Sequence, residues 1–142
     1  MLSVVDAGPL FAALDPNDAD HHHSREVLER SDLQLVIPAL VVAEVSYLAQ
    51  RRIGPHAERL LFTGLAEMDV AAPTPEDFTR MAELVERYAD WPLGGCDASV
   101  LALAERLGTT TVITFDRRHF GALRTAGGEP LTLLPEAPGS TA

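Results

Sequence analysis

A chain of 142 residues, 46% hydrophobic and 23% charged, suits one domain around one hydrophobic core. None of its apolar runs reaches the roughly 20 residues that a membrane span needs. The net charge of −10 argues against broad, non-specific binding to nucleic acid, which wants a basic surface. It leaves room for a nuclease whose acids are gathered at one metal site.

Met1 to Asp6 has no basic stretch and meets a carboxylate after Leu2-Ser3-Val4-Val5, so it reads as a buried strand and not a signal peptide. Gly8-Pro9 precedes a short helix over Leu10–Leu14, ended by the Asp15-Pro16-Asn17-Asp18 turn. A helix from Ala19 to Arg30 follows, then a strand over Leu33–Ile37. Pro38 opens a helix from Ala39 to Arg51, with Leu40, Val41, Glu44, Val45 and Leu48 at helical spacing. Gly54-Pro55 breaks it before a helix over His56–Glu67 and a short strand over Met68–Ala71. Thr74-Pro75-Glu76-Asp77 carries a cap, a first-position proline and first-turn acids, and starts a helix running to Tyr88. After the loop at Trp91-Pro92-Leu93-Gly94-Gly95, a helix from Cys96 to Leu107 stops at Gly108. A strand over Thr111–Thr114, a short helix over Arg117–Leu123 and a last strand over Leu131–Leu134 complete the series.

Strands alternating with helices predict an α/β fold, a mostly parallel central sheet with helices on both faces. Sites in such sheets form beyond the carboxyl ends of the strands, where Asp6 and Asp116 stand. The expected organisation is one domain over residues 1–135 and a flexible tail over 136–142. Cys96 is the single cysteine, which excludes an internal disulfide and makes a reducing cytoplasm the default location.

Three acids interrupt apolar sequence: Asp6 ends the first strand, Glu44 falls on the apolar row of Leu40, Val41 and Leu48, and Asp97 opens the run Ala98–Ala104. A buried carboxylate needs a partner, and no arginine lies inside these runs. Carboxylates about 5 Å apart repel by about 3 kcal/mol per pair at an effective dielectric near 20. A hard divalent cation relieves that repulsion and prefers oxygen donors; its bound waters suit phosphodiester hydrolysis. Structural readings compete: Asp6 and Asp97 as helix caps and Asp116 as a turn residue. Glu44 has no such alternative on an apolar helix face.

Four segments carry a resemblance: Val4-Val5-Asp6-Ala7-Gly8-Pro9-Leu10, Ala43-Glu44-Val45, Cys96-Asp97-Ala98-Ser99 with the apolar run after it, and Thr114-Phe115-Asp116-Arg117-Arg118-His119-Phe120. In that order and spacing the chain resembles the PIN-domain family, and within it the VapC-type toxin ribonucleases of bacterial toxin–antitoxin pairs. The resemblance implies a PIN-like three-layer αβα fold and an Mg²⁺-dependent endoribonuclease, with Mn²⁺ able to substitute. It implies RNA as substrate (tRNA, ribosomal RNA or messenger), a cognate VapB-type antitoxin that neutralises the toxin, and a homodimer. Asp6 and Asp97 would ligate the metal, Glu44 and Asp116 would complete the pocket, and Thr114 and Ser99 would orient carboxylates or water. Gly8-Pro9 stands where the family often has a hydroxyl residue. Two alternatives remain at this point: a PIN nuclease of RNA maturation, and a binding module that kept the fold without the chemistry.

The remaining polar residues divide less clearly. All 11 basic residues are arginine, which suits phosphate contacts and equally a GC-rich genome. Arg117 and Arg118 directly follow a site acid and are candidate RNA contacts; Arg51 and Arg52 read first as helix-end cations. His21-His22-His23 reads as a solvated helix start, because adjacent helical residues point apart. Cys96 reads as a small buried residue, and Trp91 as packing in preference to base stacking.

Overall fold

The computed structural model describes residues 1–137. The tail expected over 136–142 lies, from residue 138 on, outside the described residues. In chain order the elements are β1 (Leu2–Val5), α1 (Ala7–Ala12), α2 (His21–Leu28), β2 (Gln34–Pro38), α3 (Ala39–Arg52), α4 (Pro55–Leu65), β3 (Asp69–Ala71), α5 (Pro75–Arg87), α6 (Gly95–Leu107), β4 (Thr111–Ile113), α7 (Arg117–Ala122) and β5 (Thr132–Leu134).

The five strands form one sheet in the order β3-β2-β1-β4-β5, and every pairing is parallel. The chain steps outward from β1 through β2 to β3, then returns to the other side of β1 for β4 and β5. Right-handed crossovers therefore put the helices of the two halves on opposite faces. Covered on both sides, the central strands are apolar without alternation, and Val4, Val5, Ile37, Val112 and Ile113 have no exposed surface. The direction of travel reverses between β1 and β4, the place where an open α/β sheet leaves a crevice at its carboxyl edge.

Helix α6 explains its own sequence. It packs on β1, β2 and β4 and is covered in turn by α5, so Ala98 to Ala104 are all buried and no polar face survives in the run. Gly108 ends it at φ +72°, a left-handed conformation that suits glycine. Helix α5 starts with a complete capping box. The Asp77 amide donates to Thr74 Oγ1 at 3.1 Å and the Thr74 amide to Asp77 Oδ2 at 3.0 Å.

Two helices begin two or more residues away from their expected starts. Helix α1 begins at Ala7, not Leu10, with Asp6 at its N-cap position. Pro9 sits inside its first turn, where the missing N–H costs nothing. Helix α2 begins at His21, not Ala19, because Asp18 Oδ1 captures the Asp20 amide at 2.8 Å and holds those residues in a turn. No helix among the described residues is long and apolar enough to cross a membrane.

Candidate active site

The four acids singled out in the sequence come from four separate elements. Asp6 directly follows β1, Asp116 caps α7 just beyond β4, Glu44 lies on α3 and Asp97 in the first turn of α6. All four line one open cleft of about 580 Å³ at the carboxyl edge of the sheet, together with Phe11, Leu48, Arg52 and Phe115. The backbone joins the two central strands there: the Asp6 amide donates to the Ile113 carbonyl at 2.9 Å.

Burial grades the acids. Asp6 is 6% exposed, Asp97 and Asp116 are half-buried, and Glu44 is exposed. The expectation that Glu44 lies on the buried face of α3 is thus corrected. The buried stripe is Val41, Val45 and Ala49. Leu40, Glu44 and Leu48 form the neighbouring row, offset by one residue and so by about 100°, and that row faces the cleft edge.

Asp6 accepts a 2.7 Å hydrogen bond on Oδ2 from the Thr114 hydroxyl, and the Asp116 amide donates to Thr114 Oγ1 at 2.9 Å. One buried hydroxyl therefore ties the two strand-end acids together. Burial pushes the Asp6 carboxyl up to about 6; the Thr114 and Ala7 donors pull it back, and the Asp97 and Glu44 charges add to the rise. Asp97 is also raised, first by burial and then by the Asp116 charge, with the Gly94 amide and His119 opposing. Burial pushes the Cys96 thiol up as well, reinforced by Glu44 and Asp6. Cys96 is therefore held as a thiol, the opposite of what a nucleophile needs.

Asp116 is anchored twice. Its Oδ1 accepts from the His119 amide at 3.0 Å and its Oδ2 from His119 Nδ1 at 2.9 Å. The capping and site readings of Asp116 are thus compatible in one residue. Asp97 makes no side-chain cap; Gly94 occupies the N-cap position of α6, and a first-turn carboxylate is favoured by the helix dipole.

A hard divalent cation fits this donor set: every acidic ligand atom is oxygen, and mutual repulsion and burial both raise the protonation of Asp6 and Asp97. Among the described residues, however, no three His, Cys, Asp or Glu side chains are grouped closely enough to hold a metal ion by themselves. The acids border an open cleft instead, which suits an ion that keeps several of its waters.

Other expectations sort by position. Ser99 is removed from the acids: its hydroxyl donates to the Cys96 carbonyl at 2.6 Å. Two residues past Asp97, it points about 200° round the helix, into a separate small hollow beside Pro38 and Arg106. The three histidines diverge as read. His21 Nδ1 donates to the Ala12 carbonyl at 2.8 Å, while His22 is 90% exposed beside Glu26. Trp91 packs, with the Arg118 guanidinium 5.0 Å from its centroid and the His119 ring 5.4 Å away. Arg117 lines a neighbouring depression with Asp20, His23 and Glu136. The cation that lines the acidic cleft is Arg52, read in the sequence as a helix-end charge. Its signal was its spacing, eight residues beyond Glu44 on the same row. His119 was likewise legible as Asp116 plus three, the spacing of a cap that reaches back.

Comparison with known proteins agrees with this geometry. The PIN domain family matches residues 3–125. Over 134 residues, 93% of this chain and 99% of the relative, the sequence is 36% identical to Ribonuclease VapC26 of Mycobacterium tuberculosis. Among solved structures, VapC20 of Mycobacterium tuberculosis, a toxin that cleaves the sarcin–ricin loop, superposes with a TM-score of 0.73 at 19% identity, covering 78% of this chain and 86% of that one. VapBC2 of Rickettsia felis, bound to a promoter DNA fragment, gives 0.70 at 15% identity, covering 94% and 98%. Sheet order, acid placement and family match converge: the chain belongs to the PIN-domain family.

Proposed function

We propose that this chain is a divalent-cation-dependent endoribonuclease and the toxin component of a VapBC-type toxin–antitoxin pair. The observation that carries the reading is the meeting of Asp6, Glu44, Asp97 and Asp116 on one cleft at the sheet's switch point. The kinship with Ribonuclease VapC26 supports RNA as the substrate. The likeness of the fold to a toxin–antitoxin complex from Klebsiella pneumoniae, with a TM-score of 0.66, supports a small protein antitoxin as partner, and we assign the working form as a homodimer of one PIN-like unit over residues 1–135.

In this reading Asp6 and Asp97 hold the cation, Mg²⁺ or Mn²⁺, and Glu44 and Asp116 complete its surroundings. The bound cation supplies Lewis acidity at a phosphate oxygen and a water of lowered pKa. Thr114 fixes the orientation of Asp6 and, through the Asp116 amide, the start of α7. His119 fixes Asp116. Glu44, exposed at the cleft rim, takes the proton of the attacking water at its carboxylate. In-line attack leaves 5′-phosphate and 3′-hydroxyl ends.

The test is RNA cleavage by the purified protein. Cleavage in Mg²⁺ that stops in excess EDTA and in Asp6→Ala supports the reading. Undiminished cleavage in EDTA or in that variant would sink it, and binding of RNA without cleavage would favour the binding-module alternative.

A further inference from the structure

Arginine is the only basic residue type besides histidine in a chain of net charge −10, so the accounting of its guanidinium groups decides where a polyanion can lie. Arg25, Arg30, Arg80 and Arg106 are engaged with carboxylates. Arg124 donates to the backbone carbonyls of Gly121 and Leu123. Arg117 shares its depression with the acids Asp20 and Glu136, and Arg118 rests on Trp91. Arg51, Arg52, Arg59 and Arg87 make no ion pair among the described residues, and of these it is Arg52 that lines the cleft holding the four acids.

Its position is specific. Glu44, Leu48 and Arg52 lie on one row of α3, four residues apart, so Arg52 stands about 12 Å along the helix from Glu44. Leu48 lies between them, and Phe11 of α1 sits beneath the guanidinium, whose carbon is 5.8 Å from the ring centroid. A guanidinium stacked on an aromatic face keeps its N–H edge available, and that edge matches two phosphate oxygens. The wall between acids and guanidinium, made by Phe11, Leu48 and Phe115, is apolar and offers a surface for an unstacked base.

We propose that Arg52 binds a phosphate flanking the scissile one, so that a single-stranded RNA substrate runs from the acids along α3, its intervening base against Phe11 and Leu48. This rests on the ribonuclease reading above and adds to it a strand path and the residue that fixes it. A cation is needed at that point because the acids repel the strand they cleave. The expected substrate is unpaired, since a base held in a duplex cannot turn onto the apolar wall.

The test uses the full chain and a fluorescein-labelled single-stranded RNA bearing a cleavage site mapped in total cellular RNA. Binding is followed by anisotropy in Ca²⁺ between about 50 and 200 mM salt, beside cleavage of total RNA in Mg²⁺. Arg52→Ala is expected to weaken binding about tenfold or more and to make the salt dependence shallower by about 0.7 in the log–log slope. Arg52→Lys is expected to keep the slope and lose part of the affinity. Arg59→Ala, which removes the same charge outside the cleft, is expected to match wild type in both. Wild-type affinity and slope in Arg52→Ala, or a slope lost in Arg117→Ala instead, would overturn the proposal while leaving the ribonuclease reading intact. A wild-type protein that neither binds nor cleaves RNA would overturn both.

Discussion

Thr114 joins the Asp6 carboxylate to the backbone at Asp116. It is 1% exposed, accepts from the Asp116 amide and donates to Asp6. Thr114→Val keeps the shape, strands the Asp116 amide and removes a donor from a buried carboxylate. It is expected to lower stability by about 2 kcal/mol, read by urea denaturation, and to reduce cleavage with little change in KM. Thr114→Ser restores the hydroxyl and is expected to recover most of both. Equal defects in Val and Ser variants would show that packing, not the hydrogen bonds, matters there.

Asp6 makes a pH-dependent prediction. Its carboxyl titrates near 6 in the metal-free fold and near 3.9 in an unfolded chain. The folded state therefore holds the proton more tightly, and stability falls as pH rises from about 4 to about 6. The loss from this group is about 3 kcal/mol, complete above pH 6. Asp6→Asn removes it, so the metal-free variant is expected to melt higher than wild type at pH 7 and to lose the rise in Tm that Mg²⁺ or Mn²⁺ gives the wild type. A variant that melts lower than wild type without metal, or keeps the metal-induced rise, contradicts the assignment of Asp6. The residue scale is also where sequence reasoning erred most. Glu44 was selected for a burial it does not have, because helical spacing separates faces only to within one row, and the row beside the core stripe is the one that borders a cleft.

At the scale of elements, local chemistry reads well. The Thr74 cap, the Gly54-Pro55 break and the Gly108 stop are all fixed by backbone constraints within a few residues, and the structure has each in place. Gly108→Ala isolates one of them. Nothing lies within 4 Å of an added Cβ, yet φ is +72°, so the cost is backbone strain alone. It is expected to be about 1 kcal/mol, seen as a lower urea midpoint with an unchanged m-value and unchanged cleavage. Where local signals compete, the bounds move. Gly8-Pro9 was read as preceding a helix that starts at Leu10, and both proved to lie within its first turn, where a proline is tolerated.

The whole-molecule arrangement depends on pairings between distant residues, and those the sequence does not spell out. Alternation of strands and helices dictates a parallel sheet, but several strand orders satisfy it. The order β3-β2-β1-β4-β5 sets Asp6 beside Thr114 across 108 residues and brings Arg52 to the same cleft. Asp6 and Asp116 were legible because both end strands, the position such sheets use for sites. Arg52 was not, because its role depends on which helix borders the crevice. The net charge of −10 has its consequence at this scale too: RNA binding must rest on few cations and the bound metal, so it is expected to weaken less steeply with salt than for a basic nuclease.

The most direct test of the central claim is the mapping of RNA ends in total cellular RNA after induced expression of the wild type and of Asp97→Ala. The account predicts a discrete set of new 5′-phosphate ends at single-stranded positions with the wild type, and none with the variant. The same ends in both, or no new ends with the wild type, would contradict it.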